Sequence, residues 1–441
     1  MCRFADGEPE VLVAWGATIS SFLPLSDSVL FLAEDELEGE GVRVWSESLR
    51  PTRLRVLDLE TDRIRTLGEE HAVAVAQRPD GGPLAVITWP SPELDPGALE
   101  PRLSLMDVET GAVRDLGRAG IEASPPVWWQ GDDGWHVAYL EYPELAGGLA
   151  VFDVTVESGE HRNLTADMDA CPIELVQAPS GAPWVLVAEG LDTSVRRLGA
   201  DDILTVAGHA ESLAVRGELV AMIASTARQP KEVHCGSSTA PLTAITDLGR
   251  ELSGIPWGLQ ERLAYKASDG LSLEEWDDIE TGIDLLVAEG VADPDRLGIG
   301  GWSHGGFMAA WAVGQTERFK ASLMGAGISD WGMLAATGEF GPFEAARGGS
   351  VGWEGEGPHP HDRLSPVSHA AKIRTPVLIV HGEDDTNVPL SQAEYFHRAL
   401  RRFGVEHEFV VYPGEGHSLR ERGHQLDLLH RTRDWFDRWL R

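Results

Sequence analysis

An all-β region of propeller-type repeats followed by an α/β domain is the fold class that this 441-residue sequence predicts. Three observations predict it. A strand–turn–strand pattern recurs roughly every 40–50 residues over the first 265 or so, the spacing of propeller blades. Near residue 275 the apolar periodicity changes from two to that of helices alternating with short buried strands. A glycine-rich pentapeptide around a serine then sits between an apolar strand and an apolar helix. Composition agrees: 42% hydrophobic residues and 15 tryptophans suffice for packed cores, so disorder is excluded.

The repeats are LRVLDLETDRIRTL (Leu54–Leu67), LSLMDVETGAVRDL (Leu103–Leu116) and LAVFDVTVESGEHRNL (Leu149–Leu164). Apolar residues alternate up to an aspartate (Asp58, Asp107, Asp153), a turn follows, and a second strand closes on Arg-x-Leu or Arg-Asn-Leu. A fainter copy surrounds Ser194–Val206 and another leads into Leu242, while SVLFLAE (Ser28–Glu34) and WHVAYLEY (Trp135–Tyr142) supply inner strands. One four-stranded blade cannot bury both faces alone, and stacking blades does so. The repeat arithmetic allows about five to six blades in residues 1–265. FADGEPEVLVAWG at the start reads as the outer strand of a blade, so an incomplete ring is expected. Each repeated aspartate is expected to fix its hairpin turn through side-chain-to-backbone hydrogen bonds rather than to bind calcium.

Residues 266–274 read as a junction and 275–441 as the α/β domain. EWDDIETGIDLLVAEG (Glu275–Gly290) places Trp276, Ile279, Ile283, Leu286 and Val287 on one helical face. RLGIGGW (Arg296–Trp302), FKASLMGA (Phe319–Ala326), PVLIVHG (Pro376–Gly382) and HEFVVYPG (His407–Gly414) then alternate with helical segments, the pattern of a buried parallel sheet.

Charge and cysteine usage narrow the function. Asp+Glu outnumber Lys+Arg by 71 to 36, a net charge of −35 that repels nucleic acid and anionic membrane surfaces. Cys2, Cys171 and Cys235 lie far apart, which argues against a disulfide framework and a zinc site. No secretory signal or membrane-length apolar run is visible, so a cytoplasmic location is expected. No cofactor and no metal is expected either. His359, His361 and His369 lie in a polar Gly/Pro-rich stretch without a partnered ligand set.

The chemistry concentrates in three segments. Gly301-Trp302-Ser303-His304-Gly305-Gly306 is a G-x-S-x-G between strand and helix, a nucleophile elbow whose glycines permit the turn that lifts Ser303 from the sheet. The helix start beneath it adds a positive field, and the His304 backbone N–H can donate to an oxyanion. A serine hydroxyl needs a base and an orienting acid, carried on later loops. His381-Gly382-Glu383-Asp384-Asp385 follows PVLIV, and Pro413-Gly414-Glu415-Gly416-His417 follows HEFVVY. The order Ser303, Asp385, His417 is the hydrolase order, with Asp384 as rival acid and His304 and His381 as rival bases on the wrong loops. The C-terminal region is therefore expected to be an α/β-hydrolase domain.

With GWSHGG, HGEDDTNVP and YPGEGH behind a β-propeller, the sequence resembles the prolyl oligopeptidase family, best its acylaminoacyl-peptidase-like and dipeptidyl-peptidase-like bacterial branch. The family's D-x-x-V falls on Asp385 and Val388, which favours Asp385 over Asp384. The resemblance implies a serine peptidase acting on short peptides, with the propeller capping the site. One departure stands out. The family places several strands and a HGG-P or Y-x-G-G oxyanion segment between propeller and helix, whereas Ala267–Leu273 runs through Glu274 straight into that helix. About half of the hydrolase sheet and the second oxyanion donor are missing on this reading. Impaired turnover follows, and the strand before Ser303 becomes an open edge expected to self-associate into a homo-oligomer, to borrow a strand from Ala267–Leu273, or to aggregate. The alternatives are an inactive remnant whose propeller is a binding platform, and a carboxylesterase on the same triad.

Overall fold

The computed structural model describes every residue except 1, 6–7, 37–48, 145–146, 179–180, 201–202, 207, 253, 259, 262–274, 342–347, 351–352 and 354. Its contacts divide the chain into two units, Met1–Gln260 and Glu261–Arg441. The junction 266–274, with the apparent deletion, lies outside the described residues.

Among the described residues, the first unit is a succession of five four-stranded antiparallel sheets, each a simple meander, preceded by the hairpin Cys2–Ala5/Glu8–Val11. The sheets run from Ile19 to Leu67, His71 to Arg118, Val127 to Asn163, Cys171 to Val206 and His209 to Ala244. The second strand of each shows why they stack. Successive side chains point to opposite faces of a strand. In Leu84–Trp89, Leu84 and Val86 join a core with Leu30, Leu32 and Leu54 of the sheet before, while Ala85 and Ile87 join Trp128, Val137 and Tyr139 of the sheet after. Ala138 and Leu140 then meet Val185 and Val187, and Leu186 meets Val220 and Met222. Every interface between successive sheets is thus a two-sided apolar layer, worth about 1.5–3 kcal/mol for each large buried side chain.

The repeated Arg-x-Leu has a role that its sequence did not reveal. Arg65 donates to the carbonyl of Val108 in the next sheet's hairpin, and Arg114 donates to Val156 (2.8 Å) and Glu157 (3.3 Å) in the one after. These arginines tie neighbouring sheets together at their outer hairpins.

Two of the three repeated aspartates do hold turns. Asp58 accepts from the amides of Glu60 (3.0 Å) and Thr61 (2.8 Å), and Asp107 accepts from the amide and hydroxyl of Thr110, each at 2.7 Å. Asp153 does not. Its hairpin is two residues longer, so Thr155 occupies the turn position and bonds Glu160 at 3.0 Å, as Asp107 bonds Ala112. Asp153 stays inside its strand, fully buried, and accepts from Trp129 Nε1 (2.8 Å), His136 Nδ1 (3.0 Å) and Arg162 Nε (2.9 Å).

In the second unit the strands Leu297–Trp302, Phe319–Gly325, Val377–Gly382 and His407–Tyr412 form a parallel sheet in chain order. Val377 and Ile379 face a core with helices His304–Gln315 and Ser391–Phe403, through Ala310, Val313, Phe396 and Leu400. Leu378 and Val380 face Trp435 of helix Arg422–Trp439. Burial of both faces is what made PVLIVHG a continuous apolar run. Strand Leu297–Trp302 is an edge: among the described residues no strand lies beyond it, and Gly298 and Gly300 are exposed. Of the predicted face of helix Glu275–Ala288, Trp276, Ile279 and Ile283 pack on the cores, and no described residue of this helix is fully buried.

Candidate active site

Ser303 links the edge strand to helix His304–Gln315 with φ 58° and ψ −120°, a left-handed conformation that costs a non-glycine residue about 1–3 kcal/mol. Close packing holds it there. Its amide donates to Gly325 O at 2.9 Å, and its carbonyl accepts from Phe307 at 3.0 Å. Gly301 and Gly306 permit the turn: a Cβ on Gly301 would lie 2.4 Å from the Gly305 carbonyl carbon, and one on Gly306 2.4 Å from Gly325 O. The helix that starts at His304 directs its first backbone amides toward the turn that carries the serine. The His304 ring lies against Phe307 (5.3 Å) and Trp331 (6.4 Å), inside an aromatic cluster.

Asp385 and His417 come together. Nδ1 of His417 donates to Asp385 Oδ2 at 2.9 Å, while Asp385 Oδ1 accepts from the amides of Asn387 (3.1 Å) and Val388 (2.9 Å). Asp385 is 5% exposed, whereas its neighbour Asp384 is an exposed side chain. Burial pushes the Asp385 carboxyl up, but the bonds from His381, His417 and Val388 outweigh it and hold it at about 2. The His417 loop is tied to the elbow through Trp302, whose indole N–H donates to the His417 carbonyl at 2.7 Å. Among the described residues Ser303 Oγ makes no hydrogen bond, to His417 or otherwise; such bonds often tighten only around substrate.

Three further residues support the site; the sequence singles out only the first, His381, as a rival base for which a structural role is expected. His381 is fully buried, donates from Nε2 to Val388 O (2.7 Å) and sits 3.4 Å from Asp385 Oδ2, so a second imidazole braces the same carboxylate. Its Nδ1 has no partner among the described residues, which fixes the proton on Nε2. Glu415, 4% exposed, accepts from the amides of Arg420 (2.7 Å) and Glu421 (2.9 Å) and from His424 Nδ1 (2.8 Å), bracing the loop that carries His417. Trp302 is the third. The x of G-x-S-x-G and the acidic residue before Gly-His carry these roles, but neither spacing nor periodicity marks them.

The three histidines of the Gly/Pro-rich stretch are held by local contacts. His361 Nδ1 faces Ser350 Oγ at 2.8 Å, His369 Nε2 bonds Arg363 O at 2.8 Å, and His359 stacks on His361. Glu415, Glu421 and His424 cluster closely enough to hold a cation. The bonds already made by Glu415 and His424 explain that grouping as a loop brace.

Ser303 thus stands strained at a helix start, and Trp302 next to it in the chain is bonded to the loop of His417, which pairs with the buried Asp385. Residues 264–441 match the model of the prolyl oligopeptidase family. The uncharacterized peptidase YuxL of Bacillus subtilis is 35% identical over 180 residues, which are 38% of this chain and 26% of that one. Dipeptidyl-peptidase 5 of Porphyromonas gingivalis is 33% identical over 192 residues, 43% of this chain and 28% of the other. The chain thus spans about a quarter of the length of these curated relatives in the match. Among solved structures, a puromycin-hydrolyzing peptidase of Mycobacterium tuberculosis superposes with a TM-score of 0.71 at 20% identity, covering 99% of this chain and 82% of that one. An acylaminoacyl peptidase superposes at 0.55 and 15% identity, covering 96% of each. Residues 264–441 of this chain are thus similar to the prolyl oligopeptidase family of serine peptidases.

Proposed function

We propose that the chain is a serine peptidase of short peptides working through an acyl-enzyme, with Ser303, His417 and Asp385 as its triad. The observation that carries this reading is the Asp385–His417 pair, on a loop that Trp302 ties to the strained Ser303, in the segment that matches the family. Ser303 Oγ attacks the peptide carbonyl carbon as His417 Nε2 takes its proton. The C–N bond breaks and His417 returns the proton to the leaving amine; water, deprotonated by His417, then releases the acyl group. Asp385 keeps the His417 proton on Nδ1 throughout. The His304 amide donates to the oxyanion.

A solved acylaminoacyl peptidase, one of the structural neighbours, was captured with Z-Gly-Gly-Phe-chloromethyl ketone, which supports peptide substrates. The five stacked sheets are read as blades of a propeller. Turnover is weak on this reading: one missing oxyanion donor costs about 10²–10³ in kcat. The edge position of Leu297–Trp302 among the described strands favours a second reading, a catalytically silent binding protein.

A fluorophosphonate probe followed by peptide mapping separates the two. The expected adduct is on Ser303, with slow hydrolysis of peptide p-nitroanilides. An adduct on another residue with Ser303 free overturns the assignment, and no adduct at all favours the binding protein.

A further inference from the structure

The N-terminal unit holds a cleft of about 610 Å³ where the second sheet meets the first, within the range of small-ligand sites. Its buried wall presents unpaired donors, while the acceptors of the lining sit on the exposed side chains Glu69, Glu70 and Glu100. Among the described residues of this unit, the buried side-chain polar atoms without a hydrogen-bond partner are two, Arg53 Nη1 and Trp89 Nε1. Both are N–H donors, and both residues line this one cleft. A buried donor left unpaired costs about 1–3 kcal/mol, which a ligand oxygen would relieve.

Other lining groups add to the surplus. His71 accepts the Thr52 amide on Nδ1 at 2.8 Å, so its proton sits on Nε2, where no partner exists among the described residues. Burial, reinforced by the Arg53 charge, pushes the His71 imidazolium below its usual range, which keeps that tautomer neutral near pH 7. Arg118 spends one N–H on Leu99 O (2.8 Å) and Arg102 pairs with Asp115 beyond the cleft, leaving further guanidinium donors. The apolar wall is prearranged: the Trp89 ring lies 5.7 Å from the His71 ring, and a Cβ on Gly97 would come within 2.9 Å of it. Glu69, Glu70 and Glu100 are exposed at the lining and repel polyanions.

From this donor surplus, apolar wall and acidic rim we infer that the cleft binds a small monocarboxylate with an apolar body. The C-terminal end of a short peptide and a free carboxylic acid share that chemistry. Its lining residues all belong to the first unit, and the inference stands whether or not Ser303 is a nucleophile.

Titration calorimetry on the full chain carrying Ser303→Ala, so that no peptide is consumed, tests it with three probes: N-acetyl-leucyl-leucine, its C-terminal amide, and 4-methylpentanoate. The acid peptide is expected to bind at least tenfold more tightly than the amide. Trp89→Phe, which keeps the ring and removes the N–H, and Arg118→Gln, at an exposed position, should each weaken the acid roughly tenfold, the size of one hydrogen bond to a charged group. Equal affinity for 4-methylpentanoate assigns the cleft to free acids, and weaker affinity assigns it to peptide termini; both outcomes keep the carboxylate site. Equal binding of acid and amide, no binding of either acid, or acid binding untouched by both substitutions overturns it.

Discussion

Replacing Asp385 by asparagine is the sharpest perturbation of the proposed triad. The carboxylate faces four N–H groups: His417 Nδ1 at 2.9 Å, His381 Nε2 at 3.4 Å, and the amides of Asn387 and Val388 at 3.1 and 2.9 Å. An asparagine brings one oxygen and one NH₂ to that ring of donors. With the oxygen toward the backbone amides, the NH₂ confronts both imidazoles and forces His417 to carry its proton on Nε2, where it cannot act as base. With the oxygen toward the histidines, the NH₂ confronts the amides. Either orientation leaves buried donors unpaired. Holding the carboxyl at about 2 rather than near 4 corresponds to about 2–3 kcal/mol. Because the folded-state value is depressed, that stability is present above about pH 4 and is lost as the pH falls through about 2. Asp385→Asn should therefore lower the melting temperature by roughly 5–10 °C near neutral pH. In serine-peptidase triads the same exchange lowers kcat by about 10⁴ through the wrong tautomer. Asp384→Asn, at an exposed carboxylate, serves as the control. Peptide p-nitroanilide hydrolysis and a thermal melt measure both effects. Activity within tenfold of the parent in Asp385→Asn, or its loss in Asp384→Asn instead, would refute the assignment.

Three further outcomes are expected. His381→Gln, which still donates an N–H, should retain more kcat than His381→Phe, with KM unchanged in both; an effect confined to KM would remove His381 from the support of Asp385. Gly301→Ala drives a Cβ into the Gly305 carbonyl and should abolish probe labelling of Ser303 while the first unit's melting is untouched, as a two-step thermal melt would reveal. The edge strand Leu297–Trp302 should exchange its outward amides rapidly. Antiparallel pairing of two copies there sets their acidic helices Glu275–Ala288 side by side, so light scattering should show association rising with salt; a monomer at all salt concentrations with slow exchange would mean that this edge is covered.

Much of this protein is written locally. Two-residue alternation with a recurring turn fixes four-stranded meanders, because side-chain direction along a strand needs no tertiary information. An apolar strand, a serine among glycines and an apolar helix specify an elbow for the same reason: only glycine tolerates the backbone approaches found at Gly301 and Gly306. Other features depend on residues far apart in the chain. Asp384 and Asp385 are indistinguishable by period, and their separation into an exposed and a buried carboxylate arises when the His417 loop and the Val388 amide close around one of them. Asp153 reads as a turn residue until its hairpin, two residues longer, leaves it in the strand beside His136. His381 and Glu415 become braces only through the loops that fold over them. The Arg53–Trp89 cleft joins residues of two sheets. Local sequence determines which way a side chain points. Which partner it meets is decided by packing between segments, and the burial that makes a donor or a carboxylate matter exists only after that packing.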